Sequence, residues 1–233
     1  HLVGDGDEGE DKMQKGAKRE GKTAWDIAKF YEAEYKKDLE ALNIRTEGTH
    51  FPRATEYIQE QIALVKQLED KGYTYRTSDG IYFDTGKFEH YANFAKLDVK
   101  GMQEGARVEV NDEKRNSTDF ALWKFSPTHE KRDMEWESPW GVGFPGWHIE
   151  CSAMSEKILE TPFDIHTGGI DHIPVHHTNE IAQSECASGH EYVHYWMHVN
   201  FLNIKDGKMA KSGENFIRLQ TLIDHGISPL SYR

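Results

Sequence analysis

Cys151, His176 and Glu180 are the residues of this chain whose types and spacing first suggest chemistry. They lie in the run 145–184, which reads PGWHIECSAM and then, after a short connection, FDIHTGGIDHIPVHHTNEIAQS. Thiolate, imidazole and carboxylate are all zinc ligands, and a catalytic zinc site uses three protein ligands with a further position left open. His176 and Glu180 stand four apart, so on a helix they share a face. A structural site would want paired cysteines at short spacing, but the chain has 2 cysteines, Cys151 and Cys186, far apart in sequence. Spacing alone fits a buried apolar thiol beside an ordinary helix-surface His/Glu pair equally well. His177, Asn179 and Asp171 are near enough in sequence to orient ligands. Cys186 falls on another face of the same helix and reads as core.

A second cluster is Lys208-Met-Ala-Lys211-Ser212, which follows Asp206-Gly207 and so sits on a turn-flanked loop. Two lysines around a small residue suit an anionic partner such as a phosphate chain. No G-x-x-x-x-G precedes them, so this is not a Walker loop, and alone it reads as a solvated basic loop.

The elements that must position these groups follow from periodicity. Residues 1–21 are glycine-rich and acidic and read as a solvated loop; their acidic run does not fit an EF-hand. Thr23 opens a helix with Asp26 as capping-box partner. Ile27, Tyr31, Tyr35, Leu39 and Leu42 form its apolar stripe, expected to be core. A second helix runs from about Thr55, with Ile58, Ile62, Val65 and Leu68 as its stripe and Lys71-Gly72 as its stop. The period then changes: Ser78-Asp79-Gly80 between alternating segments predicts a β-hairpin. Residues 84–114 read as part of a small, irregular α+β insertion, 120–125 as a strand and 128–137 as a charged surface loop. Around the cysteine, 149–159 reads as a helix and 163–166 as a short buried strand, with 167–171 as the turn at its carboxyl end, where open α/β sheets bind ligands. A helix over 176–188 and a strand within 192–204 complete the pattern.

Composition narrows the classes. With 29% charged residues and a mean hydropathy of −0.77, the chain reads as water-soluble. No apolar run approaches the ~20 residues of a membrane span, and the acidic start HLVGDGDEGEDK is unlike a signal peptide. Two cysteines are too few for a disulfide scaffold, which points to a reducing, cytoplasmic setting. A net charge of −12 argues against a globally basic nucleic-acid surface and leaves a local one open.

GWHIECSAM, then HTGGIDH-x-x-x-HH-x-NEIAQS, then KMAKS, in that order, closely resembles the cysteinyl-tRNA synthetases of the class I aminoacyl-tRNA synthetase family. Lys114-Arg-Asn-Ser-Thr-Asp-Phe-Ala-Leu-Trp-Lys124 is similar to the family's KRNPxDFxLWK block, and KMAKS to its KMSKS signature. The resemblance covers nearly the whole chain. It implies an α/β fold: a class I Rossmann-like catalytic domain, its N-terminal part missing, with a small α+β connective insertion. The implied division is 1–72, the rest of the first half; 73–135, the insertion; 136–207, the second half with the zinc and ATP sites; and 208–233, the KMSKS-like loop and the start of stem-contact helices.

The resemblance also implies roles. Cys151, His176 and Glu180 would hold one zinc ion, which takes the thiolate of substrate cysteine. Trp147 would wall the cysteine pocket. His166, Gly168, Gly169 and Asp171 would line the ATP site, with magnesium accompanying the nucleotide. Lys208 and Lys211 would be catalytic, Lys211 stabilising charge on the phosphates. The expected activity is ATP-dependent formation of cysteinyl-adenylate and transfer to tRNA(Cys), by a monomer.

A fourth zinc ligand, a cysteine, and the HIGH motif are expected upstream of the first residue, and an anticodon-binding domain downstream of Arg233. The chain by itself is therefore expected to be incomplete for activity. Ser117 stands where the family has proline, Phe144 where arginine is common, and Glu214 follows Lys-Ser-Gly where the family prefers LGN. Competing readings are a cysteine ligase of the same fold acting on an amino sugar, a non-catalytic zinc- or cysteine-binding fragment, and a zinc hydrolase. The last lacks an H-E-x-x-H pair.

Overall fold

The computed structural model describes residues 12–96, 112–127, 131–204, 207–208 and 217–232. Its first half is helical: α1 (Lys12–Glu20), α2 (Ala24–Ala41) and α3 (Ile58–Asp70). The loop expected over residues 1–21 is corrected by α1. KMQKGAKRE is mostly strong helix formers, Lys18 and Arg19 sit favourably in its last turn, and Gly21 at φ +63° ends it.

Thr23 caps α2 as expected. Its Oγ1 accepts the Asp26 backbone N–H at 3.1 Å, and the Asp26 carboxylate accepts that of Thr23 at 3.2 Å. The stripe on α2 is not core. Ala24 and Ile27 are buried, but Tyr31 and Tyr35 are each 56% exposed, so among the described residues the stripe is buried only at its start. In α3 the stripe does bury Ile58, Val65 and Leu68, and Gly72 at φ +80° follows its end.

The expected hairpin forms from β1 (Thr74–Arg76) and β2 (Gly80–Phe83), with Tyr75 opposite Tyr82. β3 (Phe120–Phe125) and β4 (Gly143–Pro145) extend it to a four-stranded antiparallel sheet in chain order. Glycine is required where β4 meets its neighbour: a Cβ at Gly143 or Gly146 would strike the carbonyl oxygen of Lys124 or Ala121. The segment expected as a surface loop over 128–137 is corrected where it is described. Met134 is buried, and the Trp136 and Gly143 backbones pair, at 2.8 and 2.9 Å, because the segment must return to the sheet as β4.

The second half is a β–α–β unit. α4 (Trp147–Leu159) leads into β5 (Phe163–Gly169), which pairs in parallel with β6 (Val193–Val199) across the connecting helix α5 (Thr178–Ser188). β5 runs on through Gly169, so the turn expected at 167 begins at Ile170. Nor is β5 a buried strand. Side chains alternate between the two faces of the β5–β6 pair. Ile165, Tyr195, Met197 and Val199 are exposed, whereas His166, Trp196 and His198 turn to the helix side. A short hairpin, β7 (Asn203–Ile204) and β8 (Gly207–Lys208), and helix α6 (Leu219–Asp224) follow.

One apolar core joins the halves. Leu64, Val65 and Leu68 of α3 pack with Phe83, Phe120, Leu122 and Trp123 of the sheet, and with Ile149, Ala153, Ala182 and Cys186 of α4 and α5. Cys186 is core, as its helix face indicated. α4 and α5 are thus fixed against that core, and they carry Cys151 and Glu180.

Candidate functional site

Two backbone devices bring the site together. α4 begins at Trp147 behind Gly146, which puts Trp147, His148 and Cys151 within its first turn and a half. Before α5 the chain makes a wide π-type turn, Ile173–His177, with Pro174 at its start. Such turns are rare and recur at functional sites. Here the turn lets two consecutive histidines, His176 and His177, both point inward, 5% and 1% exposed.

Cys151, His176 and Glu180 converge as the spacing suggested: one ligand atom from each lies within 4.8 Å of the others. Glu180 is wholly buried, with its Oε1 2.9 Å from His176 Nε2. That approach lacks hydrogen-bond alignment, and Oε1 has no hydrogen-bond donor. A buried carboxylate oxygen and an imidazole nitrogen set against each other, beside a thiol, are a donor set that a cation would satisfy. Burial, and after it Glu180 and Glu150, push the Cys151 thiol well above its usual range. Thiolate forms there only with a cation to compensate it. This donor set fits zinc.

A second trio, His166, His177 and Glu180, is equally close. It differs in being occupied by its own hydrogen bonds. Glu180 Oε2 accepts the Tyr192 hydroxyl at 3.1 Å and lies 3.3 Å from His166 Nε2, and His177 Nδ1 pairs with His198 Nε2 at 2.8 Å. The unmet oxygen faces the Cys151 side. Burial by itself would raise the Glu180 carboxyl, but the contacts with His166 and His176 outweigh it and hold it at about 2. Burial takes His177 down to about 3, against the pull of Glu180.

Of the groups expected to orient the ligands, His177 lies beside Glu180 but takes its hydrogen bond elsewhere. Asn179 accepts the Tyr91 hydroxyl at 2.6 Å, which ties α5 to the segment that follows β2, and His177 turns to His198. His148, His166 and Tyr192 make the contacts instead. His148 Nδ1 lies 2.9 Å from His176 Nδ1, and burial, followed by that neighbour, holds His148 down at about 3. Their partners are distant in sequence, so spacing had no signal for them.

Trp147 lies over His176 with ring centres 4.3 Å apart, and so walls one side of the trio. Gly168 and Gly169 close β5, and Asp171 follows in the turn. Gly168 is glycine for a reason: a Cβ there would lie 2.6 Å from His177 Cε1 and 2.7 Å from His172 Nδ1. Gly168→Ala is expected to cost about 1–3 kcal/mol through overpacking. Thermal unfolding checks this, and an unshifted midpoint would contradict it. Lys208 is placed by its backbone on β8, while Lys211 lies outside the described residues.

Among the described residues, no helix is long and apolar enough to cross a membrane. The family model for the catalytic domain of class I (C) tRNA synthetases matches residues 4–229. Cysteine–tRNA ligase 1 of Burkholderia lata is 56% identical over 234 residues, covering all of this chain and 49% of the relative. Cysteine–tRNA ligases of Treponema denticola and Thermococcus kodakarensis are 48% and 44% identical, over 100% and 96% of this chain and 47% and 49% of those relatives. The chain spans about half the length of the curated relatives it matches. With an α/β fold and a match over nearly its full length, it belongs to the class I (C) tRNA synthetase catalytic-domain family.

Proposed function

We propose that this chain is the amino-acid-selecting part of a cysteine–tRNA ligase that uses ATP with magnesium, cysteine and tRNA(Cys). The observation that carries the reading is the convergence of Cys151, His176 and Glu180 around a buried carboxylate oxygen without a donor. The relatives' names support cysteine and tRNA as substrates. The division is read as 1–72 and 136–207 for the two parts of the catalytic domain and 73–135 for the insertion, with β4 returning to the insertion's sheet from beyond 135. The reading includes a monomer in the cytoplasm, in keeping with two free thiols, Cys151 and Cys186.

Zinc bound by Cys151, His176 and Glu180 would supply a Lewis-acidic position for a soft thiolate. A serine hydroxyl is a much poorer ligand there, whereas apolar contacts alone separate such close analogues by only ~1–3 kcal/mol. Glu180 keeps its charge despite its burial because His166, His176 and the Tyr192 hydroxyl lie against its carboxylate. Trp147 shields the pocket and orients the substrate against His176. His166, Gly168, Gly169 and Asp171, at the carboxyl end of β5, form the ligand-binding edge of the β–α–β unit and are assigned to ATP. Lys208 and Lys211 are assigned to the phosphates, where their positive charge stabilises adenylate formation.

Cysteine-dependent ATP–pyrophosphate exchange by the full-length protein tests the reading. Exchange with cysteine and background rates with serine are expected. A folded, metal-loaded protein that gives no exchange with cysteine would refute it.

A further inference from the structure

We propose that His148 is a positioning residue that sets the tautomer and ring plane of His176 for metal binding. The inference rests on the zinc reading above and names a residue outside the ligand trio.

His176 has two ring nitrogens with different neighbours. Nε2 faces Glu180 Oε1, the oxygen without a donor, at 2.9 Å, and Nδ1 faces His148 Nδ1 at 2.9 Å. A neutral imidazole that offers its Nε2 lone pair to a metal carries its proton on Nδ1. Among the described residues that proton has one hydrogen-bond partner, His148 Nδ1, which must then be bare, with the His148 proton on Nε2. Both tautomers follow from this one contact. A partner for the ring nitrogen remote from the metal is a general requirement, most often met by a carboxylate or a carbonyl. Here a second imidazole meets it.

His148 is itself held firmly enough to act this way. It is buried, its ring stands edge-on to Phe120 with centres 5.5 Å apart, and Trp147 packs at 5.3 Å. Cys151 lies three residues further along α4, so one helix supplies both a ligand and the brace for the ligand opposite. Fixing α4 against the core therefore fixes two coordination directions at once.

The test compares His148→Met, which has no ring acceptor, with His148→Gln, whose amide oxygen accepts a hydrogen bond. Both are made in the full-length protein, and zinc release to a colorimetric chelator is measured alongside the melting temperature of the metal-free protein. His148→Met is expected to lose about 10–100-fold in zinc affinity. His148→Gln is expected to recover most of that loss at a similar melting temperature. Wild-type affinity in His148→Met would overturn the inference, as would equal losses in both variants. A wild-type protein that binds no zinc would instead remove the zinc reading itself, and this inference with it.

Discussion

Glu180→Gln should reduce zinc affinity by at least about 100-fold, beyond the loss expected from a merely supporting group. The substitution keeps the volume of a wholly buried side chain and removes its charge. The amide oxygen can still accept the Tyr192 hydroxyl, which now bonds Oε2 at 3.1 Å, so the fold has little reason to fail. Oε1, the oxygen without a donor, is where the loss falls. Equilibrium dialysis against a zinc buffer reads the affinity, and thermal unfolding of the metal-free protein controls for folding. A variant that holds zinc as tightly as wild type would move the metal away from Glu180. The exchange assay should then separate substrates less well, because a weakly held metal is a poor judge of thiol against hydroxyl.

The second large effect lies away from the site. Asp119, just before β3, is 2% exposed and accepts from five groups, the Asn116 side-chain amide among them. The Thr85 backbone N–H and hydroxyl donate to Oδ1 at 2.8 and 2.7 Å, and the Tyr75 hydroxyl and the Asn116 backbone N–H donate to Oδ2 at 2.7 and 2.9 Å. Asp119→Ala would strand these donors at the base of the four-stranded sheet. An unsatisfied buried donor costs about 1–3 kcal/mol, and these share one acceptor, so the total is expected near 3–5 kcal/mol rather than their sum. For a chain of this size that corresponds to a midpoint lower by roughly 10 °C. A loss below about 1 kcal/mol, measured by circular dichroism in urea, would show that water replaces the carboxylate. The same network explains the run Lys114 to Lys124: Asn116 and Asp119 are neighbours in the turn that launches β3.

Local chemistry was legible in the sequence wherever it is self-contained. The Thr23–Asp26 box, the α3 stripe with its Gly72 stop, the Ser78–Gly80 hairpin and the β3 strand depend on neighbours a few residues away. So did the ligand trio in part, since His176 and Glu180 are one turn apart. Tertiary context decided what was misread. The α2 stripe has helical period, but period says which residues share a face, not whether anything covers it. Tyr31 and Tyr35 show the difference. β5 was read as a short buried strand, yet the outer face it shares with β6 is open among the described residues. α1 was hidden by the acidic, glycine-rich stretch around it. His148 was missed because its meaning lies in a ring 28 positions away. The π-type turn that points both His176 and His177 inward has no sequence signature beyond Pro174.

The central claim is that Cys151, His176 and Glu180 hold a metal whose open position receives the substrate thiolate. X-ray absorption at the zinc edge, on the full-length protein with and without cysteine, tests it most directly. The account predicts that cysteine adds one sulfur scatterer at about 2.3 Å, the ordinary zinc–thiolate distance, and that serine adds none. A sulfur count unchanged by saturating cysteine would contradict it.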